Sequence, residues 1–377
     1  MEVYDAIVIG AGGVGSAALR ELARRGRRVL GIDRFNPPHD RGSSHGQSRI
    51  IRQAYFEHPD YVPLARRSYE LWAALERDTS QSLLHCVGIL EVGPADGVVV
   101  PGVLRAAREH SLSVEELSTA DIARRWPQFR VPPDQAAVFE STAGYLRVEA
   151  CVAAHLTAAQ RNGAALATNT IVQNWTSRGE TLAVQTDRGE FHGRRLIVTA
   201  GPWAGQLLAG LGVPLTVKRK SLFWFAADAV HHSPALPPFL FEFPRGVIYG
   251  FPGIDSRGVK VAEHSGGQVI ADPLTVNRDI DSNEEATLRG FLAAHLPGVS
   301  QQRTDHAVCM YTMSPDEHFI VDRHPADERI VFAAGLSGHG YKFAPVLGEA
   351  LADLALNGTT RLPVEFLKLN RFAAGHR

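Results

Sequence analysis

Three glycines near the start of the chain have the spacing of a dinucleotide-binding site. Gly10, Gly12 and Gly15 directly follow the short apolar run Ala6–Ile9, in the order G-x-G-x-x-G. The first glycine permits a tight turn, the second lets a pyrophosphate approach the backbone, and the third lets a helix close on the strand. Asp33 comes about 20 residues later, where a carboxylate accepts hydrogen bonds from a ribose. An ordinary glycine-rich turn is the alternative, but the strand–turn–helix–strand context favours the dinucleotide.

A second glycine-rich loop, near the end of the chain, also joins a predicted strand to a predicted helix. Gly335, Gly338 and Gly340 follow the run Arg329–Ala334. The N–H groups of such a loop and the positive end of the helix suit an anionic or carbonyl ligand. Two such loops suit FAD, with its pyrophosphate at the first and the pyrimidine edge of the flavin at the second. Lys342 follows this loop and is either a solvated surface lysine or a neighbour of the flavin or of a substrate carboxylate.

The remaining predicted elements describe a parallel sheet and an antiparallel sheet. The opening strand, its helix and the strand Arg28–Ile32 form a βαβ unit. A later strand, Leu196–Val198, ends in the turn TAGPWA, which is either a second approach of the sheet to the cofactor or a plain strand-to-helix turn. From Leu215 onward, the runs SLFWFAA, FLFEF, GVIYGFP and VKVAEH alternate with turns that contain Pro and Gly, and they predict an antiparallel sheet.

We therefore predict an α/β fold in which an FAD-binding, Rossmann-like domain of glutathione-reductase-type topology is interleaved with an antiparallel-sheet α+β substrate domain. The predicted FAD-binding domain comprises residues 1–83, 145–214 and 322–377, and the substrate domain comprises 84–144 and 215–321. The segment after Asp33 is rich in small polar residues and contains two prolines, so it is predicted to be a loop that leads into a short helix. The aromatic residues between Phe223 and Phe243 are either core or the wall of a pocket for a bulky substrate.

The composition argues against several classes of function. With 39 basic and 40 acidic side chains, the formal charge is −1, so neither nucleic acid nor an anionic membrane surface is expected as a partner. No stretch approaches the roughly eighteen apolar residues of a membrane span, and a cytoplasmic protein is expected. Cys86, Cys151 and Cys309 are too widely spaced for a disulfide framework. The 16 histidines show no metal-ligand spacing, so no metal site is expected.

Several longer motifs together resemble one family. GAGGVG, PPHDRGSSHGQSRIIRQAY with YVPL, YGFP, VKVAEHSGGQVI, and CMYTMSPDEHFIVDRHP with GLSGHGYKF are similar to the monomeric sarcosine oxidase and N-methyltryptophan oxidase group of flavoprotein amine oxidases. The resemblance covers nearly the whole chain. It implies FAD bound covalently through a cysteine thioether to the 8α-methyl carbon of the ring, and the family cysteine falls on Cys309. Without the resemblance, Cys309 is a buried apolar cysteine.

The resemblance also implies a role for each matched residue. The implied catalytic residues are Lys260, Arg49, His45, His264 and Tyr249. The implied substrate-binding residues are Arg52, Lys342, Tyr249, His264 and Tyr311. The implied cofactor-binding residues are Gly10, Gly12, Gly15, Asp33, Ser43, Arg49, Val172, Gly201, Cys309, Gly338, Gly340 and Lys342.

Within these sets, two cations would hold a substrate carboxylate, and the ammonium of Lys260 would stabilise the anion that forms from oxygen. Without the resemblance, Lys260 is an exposed strand lysine, Arg49 and Arg52 are a solvated helix face, and Tyr311 is core. Three residues of the chain depart from the family pattern. Ser44 stands where the family more commonly has a histidine, Gln47 replaces an aspartate, and Ser48 replaces a threonine.

The implied function is oxidation of the C–N bond of a small secondary amino acid by a monomeric flavoenzyme. For sarcosine or another N-methyl amino acid, oxygen would accept the electrons, and the products would be formaldehyde, the demethylated amino acid and hydrogen peroxide. Three alternatives stay open: a dehydrogenase of the same fold with another electron acceptor, an oxidase of a cyclic imino acid such as L-proline or L-pipecolate, and a flavin-binding protein without turnover.

Overall fold

The structure is a computed structural model that describes residues 2–372. Residues 1 and 373–377 of the predicted FAD-binding domain lie outside the described residues. The α-helices within this range are α1 (Gly13–Arg24), α2 (Tyr61–Thr79), α3 (Val99–His110), α4 (Thr119–Arg125), α5 (Val148–Arg161), α6 (Ala204–Leu207), α7 (Ser282–His295) and α8 (Ala344–Asn357). None of these helices is both long and apolar enough to cross a membrane.

The strands of the described range fall into four sheets. In chain order they are β1 (Val3–Tyr4), β2 (Ala6–Ile9), β3 (Val29–Ile32), β4 (Ser48–Ile51), β5 (Leu84–His85), β6 (Ile89–Pro94), β7 (Glu115–Leu117), β8 (Gln135–Glu140), β9 (Gly144–Arg147), β10 (Ala165–Ala167), β11 (Val172–Arg178), β12 (Thr181–Thr186), β13 (Gly189–Gly193), β14 (Leu196–Val198), β15 (Thr216–Phe225), β16 (Phe239–Phe243), β17 (Gly246–Phe251), β18 (Val259–Glu263), β19 (Val269–Ile270), β20 (Arg303–Met313), β21 (Ile320–His324) and β22 (Asp327–Ala334).

A six-stranded sheet carries both glycine-rich loops. Its strands lie in the order β10-β3-β2-β14-β22-β21, and every adjacent pair is parallel except β21 with β22. In β2, Ala6 and Val8 face the core shared with helices α1, α5 and α8, whereas Ile7 and Ile9 face the sheet β1-β13-β12-β11 on the other side. A strand that is buried on both faces reads as a continuous apolar run, so Ala6–Ile9 shows no alternation. The predicted α/β fold is confirmed.

A nine-stranded sheet forms the second large layer. Its order is β19-β15-β18-β17-β16-β6-β8-β7, with β20 also paired to β15, and only β6 with β16 is parallel. One face packs against helix α7 through a core that includes Phe223, Phe225, Phe239 and Phe241. These aromatic residues are therefore core, which was one of the two predicted alternatives.

The opposite face of the nine-stranded sheet carries a different set of side chains. Because successive residues of a strand point to opposite faces, Trp224, Tyr249, Phe251 and Cys309 form a separate buried cluster on this side. Lys260 lies between two residues of the α7-side core in β18, so it also faces this cluster. This face is the one that meets the glycine-rich loops.

The segment after Asp33 does not lead into a short helix, so that expectation is wrong. Ser48–Ile51 form strand β4, which pairs antiparallel with β9, and the next helix begins at Tyr61. Two adjacent β-branched residues, Ile50 and Ile51, favour an extended backbone, and β9 supplies the partner for its hydrogen bonds.

The predicted domain boundaries stay a prediction. The nine-stranded sheet takes all its strands from residues 84–144 and 215–321. Strand β21, which belongs to the six-stranded sheet, crosses the predicted boundary between residues 321 and 322.

Replacing Gly15 with alanine should destabilise the fold, because a Cβ there would overlap the carbonyl oxygen of Gly10 and the hydroxyl of Thr199. Overpacking of this kind costs about 1–3 kcal/mol. Gly290→Ala is the matched control, since Gly290 also lies in a helix but a Cβ there meets nothing within 4 Å. Alanine's higher helix propensity should leave this control at least as stable as the parent. Urea unfolding measures both, and equal free energies of unfolding would contradict the close contact at Gly15.

Candidate active site

An elongated cavity of about 440 Å³ runs between the two glycine-rich loops. This volume lies within the range of cavities that hold small ligands and cofactors, about 300–1,000 Å³. Nine of the predicted cofactor-binding residues line it: Gly10, Gly12, Asp33, Ser43, Arg49, Val172, Gly201, Gly338 and Gly340. The other three, Gly15, Cys309 and Lys342, do not line it, and their positions are given below.

The first glycine loop fits a pyrophosphate. Gly12, the residue before helix α1, has no side chain, and both Gly12 and Gly13 line the cavity. The Ser44 hydroxyl accepts from the Gly13 N–H (3.0 Å), and the positive end of the helix dipole faces an anion in the cavity. Gly15 does not line the cavity but packs against Gly10 behind it. Asp33 accepts hydrogen bonds from Ala11 N–H (2.7 Å) and Phe35 N–H (2.9 Å), which hold its carboxylate at the end of β3 beside the cavity.

The second glycine loop lies against strand β20. Gly338 has a φ of +81°, and a Cβ there would overlap the ring of Tyr311. The N–H of Ser337 donates to the carbonyl of Thr312 (2.9 Å), which ties the loop to the strand. Since the loop leads into helix α8, it presents backbone donors to the same cavity as the first loop. The two loops together fit a dinucleotide cofactor such as FAD.

Cys309 does not line this cavity itself but lies next to Arg49, which does. The Arg49 guanidinium donates to Cys309 Sγ (3.2 Å) and to the carbonyl of Ser43 (3.0 Å). Burial by itself raises the pKa of the Cys309 thiol, but Arg49 and the neighbouring His45 outweigh burial and bring the pKa down to about 7. A substantial fraction of Cys309 is therefore thiolate at neutral pH, which is the nucleophilic form.

Lys260 is fully buried, so the alternative of an exposed strand lysine is wrong. Its ammonium donates to the carbonyls of Gly46 and Ser48, each at 2.8 Å, and lies 4.1 Å from the ring centre of Phe251. Burial, and then the charge of Arg49, lower the pKa of Lys260 well below its usual value. The carbonyls and the aromatic face are what stabilise a positive charge here.

The carbonyls that hold Lys260 belong to a loop of unusual backbone conformation. Gly46 and Gln47 have φ values of +87° and +74°. The Glu149 carboxylate accepts hydrogen bonds from both of their N–H groups (2.7 and 3.1 Å). The Gln47 side chain accepts from Trp224 Nε1–H (2.7 Å) and donates to Asp255 (2.6 Å). These contacts stabilise a non-glycine residue in the left-handed region, which is otherwise uncommon.

A smaller pocket of about 60 Å³ adjoins the elongated cavity. Both cavities are lined by the same four residues at their junction: Arg49, Gly338, Tyr341 and Tyr311. Tyr311 therefore lines a cavity, and the alternative that it only packs in the core is wrong. All five predicted substrate-binding residues line the small pocket: Arg52, Lys342, Tyr249, His264 and Tyr311.

Arg52 is the most heavily paired cation of the small pocket. Its guanidinium donates to both carboxylate oxygens of Glu57 (2.9 and 2.8 Å) and lies between the rings of Tyr55 and Phe56, 4.4 and 4.3 Å from their centres. Burial by itself raises the pKa of Glu57, but Arg52 and the neighbouring His339 and Lys342 bring it down to about 2. Glu57 is therefore an anion, and a substrate carboxylate must share or replace it on Arg52.

Lys342 and His264 complete the polar wall of the small pocket. The Lys342 ammonium donates to the carbonyl of His339 (2.9 Å) and to the hydroxyl of Tyr55 (3.3 Å). Burial, and then Arg52, lower the pKa of Lys342 to about 7. Burial lowers the pKa of His264 to about 3, so its imidazole is neutral at physiological pH. Lys342 is buried rather than solvated, which rules out the surface alternative.

The sequence analysis missed the residues that surround these cations. Tyr55, Glu57 and His339 lie within five residues of Arg52 or Lys342 in the sequence. This closeness in the chain is a signal from which they could have been predicted as site residues. Glu149 and Glu91 lie far from their partners in sequence, and no local pattern marks them.

The comparison with known proteins agrees with this geometry. Residues 5–354 match the model of the FAD dependent oxidoreductase family. The chain belongs to the FAD dependent oxidoreductase family.

Within this FAD dependent oxidoreductase family, the chain groups with sarcosine and N-methyltryptophan oxidases, as the sequence motifs predicted. It is 42% identical to the monomeric sarcosine oxidase of Streptomyces avermitilis over 378 residues, which cover 98% of each chain. It is 37% identical to the N-methyl-L-tryptophan oxidase of Salmonella dublin, over 98% of this chain and 99% of that protein. The solved structure of NikD, an amino acid oxidase of nikkomycin biosynthesis, superposes with a TM-score of 0.86 at 26% identity, covering 98% of each chain. The chain is therefore an FAD-dependent oxidoreductase.

Glu149→Gln should destabilise the protein, because the amide lacks the carboxylate charge, and its NH2 group cannot accept the hydrogen bond that Glu149 Oε2 accepts from the Gln47 N–H (3.2 Å). Hydrogen bonds to a charged group are worth about 1.5–3 kcal/mol. Burial by itself raises the pKa of Glu149, but backbone hydrogen bonds and the charge of Arg49 outweigh burial and hold the pKa below its usual 4.5. The contribution of Glu149 to stability is therefore present above pH 4.5 and is lost as the pH falls through the lowered value.

Denaturant unfolding of parent and variant at several pH values measures this difference. The difference in unfolding free energy should be full at pH 7 and shrink below pH 4.5. Glu180→Gln is the control, since the Glu180 side chain is 92% exposed, and it should change little. A Glu149→Gln penalty that does not depend on pH would contradict the role of the carboxylate charge.

Proposed function

We propose that this protein oxidises the C–N bond of a small secondary amino acid, such as sarcosine or another N-methyl amino acid, with oxygen as the electron acceptor. The observation that carries the proposal is the junction of the two cavities. A dinucleotide cavity shares a wall with a small pocket whose polar side chains include two buried cations, Arg52 and Lys342. The relatives named for sarcosine and N-methyl-L-tryptophan support the same substrate class.

The size of the small pocket favours a small substrate. Its volume is about 60 Å³, and Ile50, Phe56 and Leu240 form its apolar wall. This volume suits a methyl group and a glycine backbone better than an indole ring. We therefore place sarcosine ahead of N-methyl-L-tryptophan as the preferred substrate.

The residues of the pocket have distinct tasks in the proposed reaction. Arg52 and Lys342 bind and orient the substrate carboxylate, and the orientation fixes which C–H bond faces the cofactor cavity. The neutral imidazole of His264 and the hydroxyls of Tyr249 and Tyr311 contact the rest of the substrate. When bound, FAD supplies the chemistry that accepts two electrons from the carbon next to nitrogen and passes them to oxygen. The positive charge of Lys260 would stabilise the anion that forms when oxygen accepts electrons.

We further propose that FAD is attached covalently, as an 8α-thioether of Cys309. The proximity of Arg49 to Cys309 Sγ and the lowered pKa of that thiol support this assignment. Gly10, Gly12 and Asp33 would hold the pyrophosphate and ribose, with Gly338 and Gly340 near the pyrimidine ring. A monomeric state and a cytoplasmic location stay predictions.

A substrate screen tests the proposed function. The purified flavoprotein should lose its yellow colour when mixed with sarcosine without air, and should release hydrogen peroxide and formaldehyde in air. The screen should include other N-methyl amino acids, N-methyl-L-tryptophan, L-proline and L-pipecolate. Bleaching without peroxide would indicate a dehydrogenase, a preference for the cyclic substrates would indicate an imino acid oxidase, and no bleaching with any of them would contradict the proposal.

Cys309→Ser should abolish covalent attachment while the protein still folds and binds FAD reversibly, because both glycine loops remain. A thioether survives denaturation, so acid precipitation of the parent should give a yellow pellet and that of the variant a colourless one. Cys86→Ser is the control, since Cys86 is exposed whereas Cys309 is buried beside Arg49, and the pellet of the control should stay yellow. Peptide mass spectrometry should find flavin on Cys309, and flavin on another residue would reject the assignment.

Lys260→Met should slow the reaction with oxygen far more than the reaction with substrate. Methionine keeps the length of the buried side chain but removes the charge, and a preorganised charge next to a developing anion is worth about 3–4 kcal/mol, or roughly 10²–10³-fold in rate. Stopped-flow measurements of anaerobic reduction and of reoxidation separate the two steps. Equal slowing of both steps would show that Lys260 acts elsewhere.

A further inference from the structure

Glu91 is a buried carboxyl group that the proposed reaction does not use. It lies in strand β6 with no exposed surface, and neither of its oxygens has a hydrogen-bond partner among the described residues. Arg52 lies next to it, with Nε 3.5 Å from Glu91 Oε1. A buried polar group without a partner is rare and costly, so this placement calls for a functional reason.

The register of the sheet places Glu91 beneath the substrate pocket. Its neighbours in β6, Leu90 and Val92, belong to the core on the α7 side, so Glu91 points to the opposite face. Leu240 lies directly across from Glu91 on β16 and lines the small pocket. Glu91 therefore faces the pocket from below, on the Nε side of Arg52, while Glu57 pairs with Nη2 of the same guanidinium.

Four charged groups act on Glu91. Arg52 and Lys342 are the cations, and Glu57 and Glu140 are the acidic groups, with Glu140 on the neighbouring strand β8. Glu140 already accepts hydrogen bonds from the N–H groups of Gln53 and Ala54, so it does not partner Arg52.

Burial, assisted by the two acidic groups, outweighs the two cations and raises the pKa of Glu91 to about 8. At neutral pH the Glu91 carboxyl is therefore protonated. Arg52 then has one anionic partner, Glu57, rather than two.

We propose that Glu91 is a positioning residue that sets how strongly Arg52 attracts an anionic substrate. As a neutral acid it packs beside the Nε side of the guanidinium and leaves the positive charge available to a carboxylate. When it releases its proton to solvent, it becomes a second anion on Arg52 that repels the substrate carboxylate. This inference rests on the proposed function, in which Arg52 binds that carboxylate.

We therefore expect the affinity for an anionic substrate to fall at alkaline pH, because Glu91 becomes ionised there. Lys342 also loses its charge in this pH range, because its pKa is lowered to about 7. Glu91 is one of the charges that raise the pKa of Lys342, so the two groups are coupled. Lys342 titrates in the parent and in every Glu91 variant, and the difference between the two pH profiles therefore measures the ionisation of Glu91 together with its effect on Lys342.

Glu91→Gln tests the proposal, because glutamine has the shape of the neutral acid and cannot ionise. At pH 6.5 the KM for sarcosine should match that of the parent within about twofold. By pH 9.5 the KM of the parent should exceed that of the variant by about tenfold, the effect of one nearby charge in a partly screened site. Sarcosinamide, which lacks the carboxylate, should give parent and variant profiles that coincide, and kcat should differ little between them.

Two further measurements keep the test independent of turnover. The Kd of propionate, from its effect on the flavin absorbance spectrum, should follow the same pH pattern as KM. The parent should also lose thermal stability relative to Glu91→Gln as the pH rises from about 4.5 to about 8, because a raised folded-state pKa favours folding only while the group is protonated. Glu91→Leu, which also cannot ionise, replaces Glu91→Gln if the latter does not fold.

The outcomes separate the inference from the proposed function. If parent and Glu91→Gln show parallel pH profiles, both for KM and for the Kd of propionate, the role of Glu91 is overturned, even if sarcosine is oxidised rapidly. A large rise in KM at pH 6.5 in Glu91→Gln would also overturn it, because Glu91 would then act as an anion at neutral pH. Absence of turnover with every amine would reject the proposed function, while propionate binding and stability would still decide the ionisation of Glu91.

Discussion

The structure depends on keeping positive charge buried where its two large sheets meet. Arg49, Arg52, Lys260 and Lys342 converge there, and each would be strongly destabilising without compensation. The compensation differs from residue to residue. Lys260 donates to two backbone carbonyls, Arg52 pairs with Glu57 between two aromatic rings, and Arg49 donates to carbonyls and to a sulfur.

This arrangement makes the backbone around residues 46–48 a functional part of the site. Its N–H groups bind the carboxylate of Glu149, and its carbonyls bind the ammonium of Lys260. A carboxylate and an ammonium are thus coupled through a peptide segment. Because Glu149 helps to fix this segment, it also helps to fix the position of Lys260, which preorganised electrostatic stabilisation requires.

Strand β20 connects the two halves of the site. It lies along β15, with Cys309 beside Arg49, a residue of the cofactor cavity, and Tyr311 in the wall that both cavities share. Cys309 and Tyr311 are two residues apart, so they point to the same face of the strand. A substrate in the small pocket is therefore adjacent to a cofactor in the large one, and the spacing is set by a rigid strand.

The sequence by itself determined the features that depend on local geometry. The glycine loops, Asp33 and most strands were predictable because tight turns, close approach to a phosphate and buried parallel strands each restrict the residue types in a short segment. The matched motifs also pointed to Cys309 and the four cations. Only the tertiary structure decided how those cations are compensated, and it replaced a predicted short helix by β4, whose partner β9 lies about 100 residues away. Glu91 and Glu149 look like any other glutamate in the sequence, because burial and the charges around a side chain arise from segments that meet only when the chain folds.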